Sequence, residues 1–156
     1  MSQDIRIREA TPHDLDHILH HRRQMFYDMG YHDAAQLDSM VATARSYFAQ
    51  GLADGSYRAW LAEDGNRRVV AGGGIVTMPW PSHPRDPQTR RAMILNVFTE
   101  PECRRLGLAR KLMVTMLDWL RKENFGTVSL HASEYGRELY ESLGFEASNE
   151  MRMSLK

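Results

Sequence analysis

Cysteine is nearly missing from this chain: Cys103 is the one thiol in 156 residues. One cysteine cannot close an intramolecular disulfide or furnish a thiolate zinc site by itself. A disulfide-stapled secreted scaffold is therefore excluded, and a reducing, cytoplasmic compartment is expected. An excess of charge is missing too. Twenty Lys and Arg offset twenty Asp and Glu, which removes the whole-molecule field that gathers nucleic acid or polycations. Long apolar runs are absent: the longest, Val69 to Val76, falls far short of the roughly 20 residues that span a bilayer. The opening Met1-Ser2-Gln3-Asp4-Ile5-Arg6 lacks the apolar core of a signal peptide. No nucleic-acid or membrane partner is expected. Proline is scarce outside one place, because four of the six, Pro79, Pro81, Pro84 and Pro87, crowd residues 79–91.

What is present is ordinary globular material, 42% hydrophobic and 26% charged. The length fits one domain over residues 1–156. Ile5 to Arg8 alternates as a strand does. Thr11-Pro12 reads as the start of a helix with Leu15, Ile18, Leu19, Met25, Phe26 and Met29 inward and Gly30 as its stop. A second helix carries Leu37, Met40, Val41, Ala44 and Phe48. Strands follow at 57–62 and 68–78, joined at Asp64-Gly65-Asn66, then the proline loop, then a buried-looking strand at 92–98. A helix over 105–122, a strand over 127–132, a helix over 134–143 and strand material over 145–155 complete the order. Consecutive strands predict antiparallel pairing, and the late strand–helix–strand unit predicts one parallel pair. The expected fold is α/β (α+β): a mixed, mostly antiparallel sheet with helices on both faces.

Some tempting signals carry little. His13, His17, His20 and His21 sit at helical spacing, but off the apolar stripe of their helix, so they are expected to face solvent and no metal site is assigned. Gly72-Gly73-Gly74 lies within an apolar strand with no helix cap behind it, which fits close backbone packing rather than a phosphate loop. Arg22 falls on the apolar stripe itself. Such a residue is either salt-bridged at the core's rim or pointed into a functional cleft.

The chemistry concentrates at Val97-Phe98-Thr99-Glu100-Pro101-Glu102-Cys103-Arg104-Arg105-Leu106-Gly107-Leu108-Ala109-Arg110. A buried strand runs out into a proline turn, and glycine precedes a long helix. Helix N-termini expose unpaired N–H groups and partial positive charge, so cations there are unfavourable. Arg104, Arg105, Arg110 and Lys111 nonetheless crowd this end, as they would around an anion, with phosphate the natural choice. A solvated basic turn is the plain alternative. Neither a Walker loop nor a Rossmann fingerprint is present.

Arg104-Arg105-Leu106-Gly107-Leu108-Ala109 resembles the Q/R-x-x-G-x-G/A motif of the GCN5-related N-acetyltransferase (GNAT) superfamily. Leu130-His131-Ala132-Ser133 and Gly136 to Phe145 resemble that superfamily's second signature. The resemblance implies a GNAT-like acyl-CoA N-acyltransferase fold and acetyl-CoA as donor, without a metal. It implies that the pyrophosphate lies on backbone N–H groups from Arg105 to Arg110, including those of Leu106, Gly107, Leu108 and Ala109, within a phosphate-binding loop that begins at Arg104. The pantetheine arm would run beside Val97, Phe98 and Thr99, next to a bulge with one N–H aimed at the thioester oxygen. Ser133 falls where many relatives contact the cofactor through asparagine. Tyr140 matches the tyrosine that protonates the departing thiolate. The acceptor, an amine of a small molecule or peptide, would lie between the first helix near Arg22 and Phe26 and the loop near Trp80. The strand is apolar around Met93-Ile94-Leu95, leaving His131, Glu100 or Glu63 as candidate bases. Direct attack in a ternary complex is implied. A non-catalytic acyl-CoA-binding module is the alternative, and a homodimer is left open.

Overall fold

The computed structural model describes residues 4–156, so the start of the segment examined for a signal peptide lies outside the described residues. Strand β1 (Arg6–Glu9) leads to a short 3-10 turn at Pro12–Asp14. There the Thr11 hydroxyl accepts from the His13 N–H, and the Asp14 carboxylate accepts from the Thr11 N–H. Asp14 also meets Arg8, which reaches Glu63 at 2.5 Å, so β1 and this turn are fastened to one another. Helix α1 (Leu15–Asp28) and helix α2 (Ala34–Asp54) follow. Asp33 caps α2 by accepting from Ala35 and Gln36, and Gly55, at φ 83°, ends it.

Strands β2 (Tyr57–Glu63), β3 (Val69–Pro79) and β4 (Arg90–Thr99) pair antiparallel, with β1 on the outer side of β2. Helix α3 (Leu108–Lys122) then carries the chain to β5 (Val128–Leu130), which pairs parallel to β4, and helix α4 (Arg137–Ser142) follows. The sheet order is β1-β2-β3-β4-β5. The mixed, mostly antiparallel sheet is as expected. The proline loop closes on itself through the Trp80 N–H to the Thr89 carbonyl and a paired His83–Asp86 turn.

Two cores flank the sheet. One face holds α3, whose Leu108, Leu112, Met113, Met116, Leu117 and Leu120 pack on Val70, Ala71, Ala92 and Ile94. Each buried Leu, Met, Val or Ile among these contributes about 1.5–3 kcal/mol. The other face holds α1 and α2, with Ile18, Leu19 and Phe48 on Tyr57, Ala59 and Val76. Gly72, Gly73 and Gly74 lie between the cores. A Cβ on them would meet His21 and Leu61, Met116, and the Tyr57 ring respectively. Close packing, not phosphate binding, explains the triplet.

Three expectations are corrected. His21 does not face solvent: it is buried against Gly72, with its ring 5.3 Å from that of Phe98, while His13, His17 and His20 are exposed. The helix expected from residue 105 begins at Leu108, because Arg105 and Gly107 both adopt positive φ in the preceding turn. Residues 145–155 form no strand. Their backbone makes no ladder with the three-residue β5, and Met151, Met153 and Leu155 stand exposed, an alternating pattern without a paired neighbour.

Candidate active site

The site is built on a break in β4. Gly72 pairs with Phe98 and Gly74 with Leu95, so Asn96 and Val97 together oppose Gly73. This is a β-bulge, and Asn96 sits in it at φ 59°, a left-handed conformation asparagine tolerates better than most residues. The extra residue turns Leu95 and Asn96 to the same side. Leu95 packs with the α1–α2 core, and Asn96 bonds Tyr57 and Arg22 there, while Val97 packs with the α3 core. Pairing between β4 and β5 stops at Ile94 and Leu130. Beyond that point the stretch Leu95–Thr99 has no strand on its β5 side, and the sheet opens.

The opening leads toward the N-terminus of α3. Arg105 at φ 64° and Gly107 at φ 77° shape a tight turn, and no side chain caps the helix. The first intrahelical bond here runs from the Lys111 N–H to the Gly107 carbonyl, which leaves the N–H groups of Leu108, Ala109 and Arg110 available. A Cβ on Gly107 would meet nothing within 4 Å, so the space before the helix is open. Leu108 is buried and anchors the turn, and Leu106 is exposed. The arginines differ. Arg104 is committed to the fold: it donates to the Thr99 carbonyl, pairs with Asp28 at 2.7 Å and lies over the Phe98 ring. Arg110 donates to the Ser142 hydroxyl at 2.7 Å, tying α3 to α4. Arg105 has no side-chain partner among the described residues.

On the other side of β4, Arg22 lies in a cleft of about 620 Å³ with Phe48, Val76, Leu95 and residues of α2. Its Nη1 donates to the Asn96 Oδ1 at 2.9 Å, and the Asn96 Nδ2 donates to the Tyr57 hydroxyl at 2.9 Å. The guanidinium sits over the rings of Phe26 and Phe48 at 5.0 and 5.5 Å. It makes no ion pair among the described residues, which answers the choice the sequence leaves open: Arg22 is not a rim salt bridge. Burial lowers its pKa and raises that of the Tyr57 phenol. Tyr57 and Asn96 escape sequence reasoning, Tyr57 because it reads as a core aromatic, Asn96 because a lone polar residue in an apolar strand does not announce a bulge.

Tyr140 stands on α4 at the wall of a larger cavity of about 1190 Å³, with Leu130, His131 and Arg137. Its ring covers Gly136 and meets Phe145 edge-on at 6.0 Å. Its hydroxyl has no protein partner among the described residues, and burial raises its pKa. The Ser133 hydroxyl accepts from the Gly136 N–H at 3.1 Å, shaping the turn into α4. Trp80 is not brought together with Arg22 and Phe26. It lines the larger cavity, beneath the Arg91 guanidinium. Among the candidate bases, Glu63 is committed to Arg8, Glu100 pairs with His20 at 2.7 Å, and His131 lies near Arg152 and Glu150. Among the described residues no group of three potential ligands could hold a metal ion, and no helix is long and apolar enough to cross a membrane.

Solved structures share this architecture. A GCN5-related N-acetyltransferase from Ralstonia eutropha is 33% identical, with 97% of this chain and 98% of that one covered at a TM-score of 0.90. A predicted acetyltransferase from Clostridium acetobutylicum, solved with acetyl-CoA, is 25% identical, with 97% and 96% covered at 0.86. An aminoglycoside N-acetyltransferase in complex with CoA shares the fold at 15% identity, with 100% and 97% covered at 0.72. No curated protein matches. Residues 15–145, which include the β4 bulge, the open turn before α3 and Tyr140, match the sequence profile of the acetyltransferase (GNAT) family. The chain belongs to that family.

Proposed function

We propose that this protein, acting as a single domain, is an N-acetyltransferase that moves the acetyl group of acetyl-CoA to the amine of a small molecule or peptide. The observation that carries the reading is the opening between β4 and β5 beyond Ile94, which runs from the bulge at Asn96 to the uncapped N-terminus of α3. An extended pantetheine arm suits the unpaired backbone of Val97, Phe98 and Thr99, and a pyrophosphate suits the free N–H groups and partial positive charge beyond Gly107. Arg105 is the arginine free to meet a phosphate. Arg104 acts through the turn it fastens, and Ser133 through the start of α4.

The chemistry balances without a covalent enzyme intermediate. The neutral amine attacks the thioester carbonyl carbon, a C–N bond forms, and the oxyanion is held by a backbone N–H at the bulge. The C–S bond then breaks as the Tyr140 hydroxyl passes its proton to the departing sulfur, and water returns a proton to the phenolate. The acceptor's own proton leaves through water to Glu100 or His131. A phenol of ordinary pKa about 10 is a weaker acid than a thiol of about 8.5, so that transfer is uphill by about 2 kcal/mol. Burial of Tyr140 widens the gap. Donation from Tyr140 is therefore concerted with C–S cleavage, while burial keeps the phenol protonated throughout the working pH range.

Tyr140→Phe removes the hydroxyl and keeps the packing on Gly136 and Phe145. Its kcat should fall by roughly 10²–10⁴, the span of general acid catalysis, with acetyl-CoA affinity unchanged. Wild-type turnover in that variant would show that water protonates the thiolate.

A further inference from the structure

We propose that the acceptor is an α-amino acid with an apolar side chain, its carboxylate held by Arg22; this rests on the acetyltransferase reading above. The first observation is an unmatched cation. Arg22 is the one charged residue lining its cleft, and no carboxylate meets it among the described residues. Its Nε is sealed from solvent without an acceptor. Arg58 shares that orphaned Nε, but its guanidinium has Glu9 for a partner. Arg22 has an amide, two aromatic faces and an Nη2 that remains free. A half-buried guanidinium with its Nε sealed and no anion beside it is costly unless a ligand supplies one.

The second observation is what fixes the group in place. Nη1 donates to Asn96, whose own amide is fixed by donating to the Tyr57 hydroxyl, each at 2.9 Å, and Phe26 and Phe48 lie against the guanidinium. A planar fork so held matches a carboxylate, which guanidinium binds through paired hydrogen bonds. One positive charge in the cleft suits a monoanion better than a phosphate dianion.

The third observation sets the distance to the reaction. Arg22 is bonded to the bulge residue itself, so an anion on Arg22 lies next to the place assigned to the thioester. The attacking nitrogen is then close to the carboxylate, as in an α-amino acid. The remaining wall has the hydroxyls of Ser39 and Thr43, but Met40, Phe48, Val76 and Leu95 make it predominantly apolar, and it receives the side chain. The products are the N-acetyl amino acid and free coenzyme A, with the C–N bond formed and the C–S bond broken as above.

The test compares leucine, methionine and phenylalanine with their carboxamides, plus phenethylamine, as acceptors with acetyl-CoA, following thiol release and product mass. The acids should exceed the amides in kcat/KM by about 10- to 100-fold, the worth of a charge-assisted hydrogen bond. Arg22→Gln should raise KM for the acids by a similar factor and cost the amides far less, with Arg22→Lys intermediate. Acetyl-CoA titration of each variant checks that its fold is intact. Equal turnover of acids and amides, or an equal loss on both in Arg22→Gln, overturns the carboxylate assignment while the acetyltransferase reading stands. Turnover of phenethylamine alone does the same. Thiol release with no amine at all overturns both readings.

Discussion

His21 shows how one side chain departs from its sequence pattern. It lies one residue before Arg22 on α1, next to the apolar stripe, and a glycine across the sheet makes room for its ring. Burial favours the neutral imidazole, and the positive charges of His20 and His17 add to that, pulling its pKa from 6.5 to about 3. The unfolded chain takes up this proton below pH 6.5, whereas the folded chain resists until about 3. The stability that neutral His21 contributes is therefore complete above that upper value and drains away as pH falls toward the lower one. The loss at pH 5 is about 2 kcal/mol. Asp14, held at about 2 by Arg8, loses its contribution only below its ordinary 3.8, so the two windows overlap only at the acid end of the His21 range and above about pH 4 the decline belongs to His21. Thermal unfolding between pH 7.5 and 4.5 should show a steep decline that His21→Gln flattens, even where the variant is less stable overall. An unchanged slope would mean that His21 is not the group responsible. Tyr140 and Arg22 are legible in the sequence by motif and by stripe. The burial of His21 is not, because it depends on Gly72, far along the chain.

Among the elements, the turn before α3 separates a phosphate site from a merely flexible loop. Gly107 needs its positive φ, and open space lies where a side chain would project. Gly107→Asn tolerates the backbone conformation but fills part of that space, whereas Gly107→Val adds backbone strain. Both should weaken acetyl-CoA binding tenfold or more in calorimetric titration, with little change in melting temperature for the asparagine variant. Wild-type affinity in Gly107→Asn would move the phosphates elsewhere. The order of strands and helices is largely legible because hydrophobic periodicity is local and strong in Leu15–Met29, Tyr57–Ala62 and Leu108–Lys122. The bulge is expected only through the family resemblance, and its place at Asn96 is not legible in the residues, since a bulge exists only relative to a partner strand, here β3 with its glycines. The alternation of Met151, Met153 and Leu155 misleads for a related reason: it reports a strand's side-chain pattern but not whether a neighbouring backbone is there to pair with it.

Across the whole molecule, charge balance is used for fastening rather than for a field. Arg104 with Asp28 and His20 with Glu100 tie α1 to the end of β4 and the turn beyond it, and Arg8 ties β1 to β2 and the first turn. The first two contacts hold α1 against the end of β4, the strand at which the sheet opens. Under the proposed function the donor and acceptor clefts meet at one bulge, and a net charge of zero leaves recognition to the clefts themselves. The account's central claim is transfer between them. Its most direct test is steady-state acetyl-CoA consumption by the purified protein with and without an amine acceptor, scored by free thiol and by the mass of the product. One acetylated amine for each thiol released, dependent on the amine, is the predicted result. Binding of acetyl-CoA with thiol release no faster than in buffer, whatever amine is supplied, would contradict it and leave a module that binds acyl-CoA without turning it over.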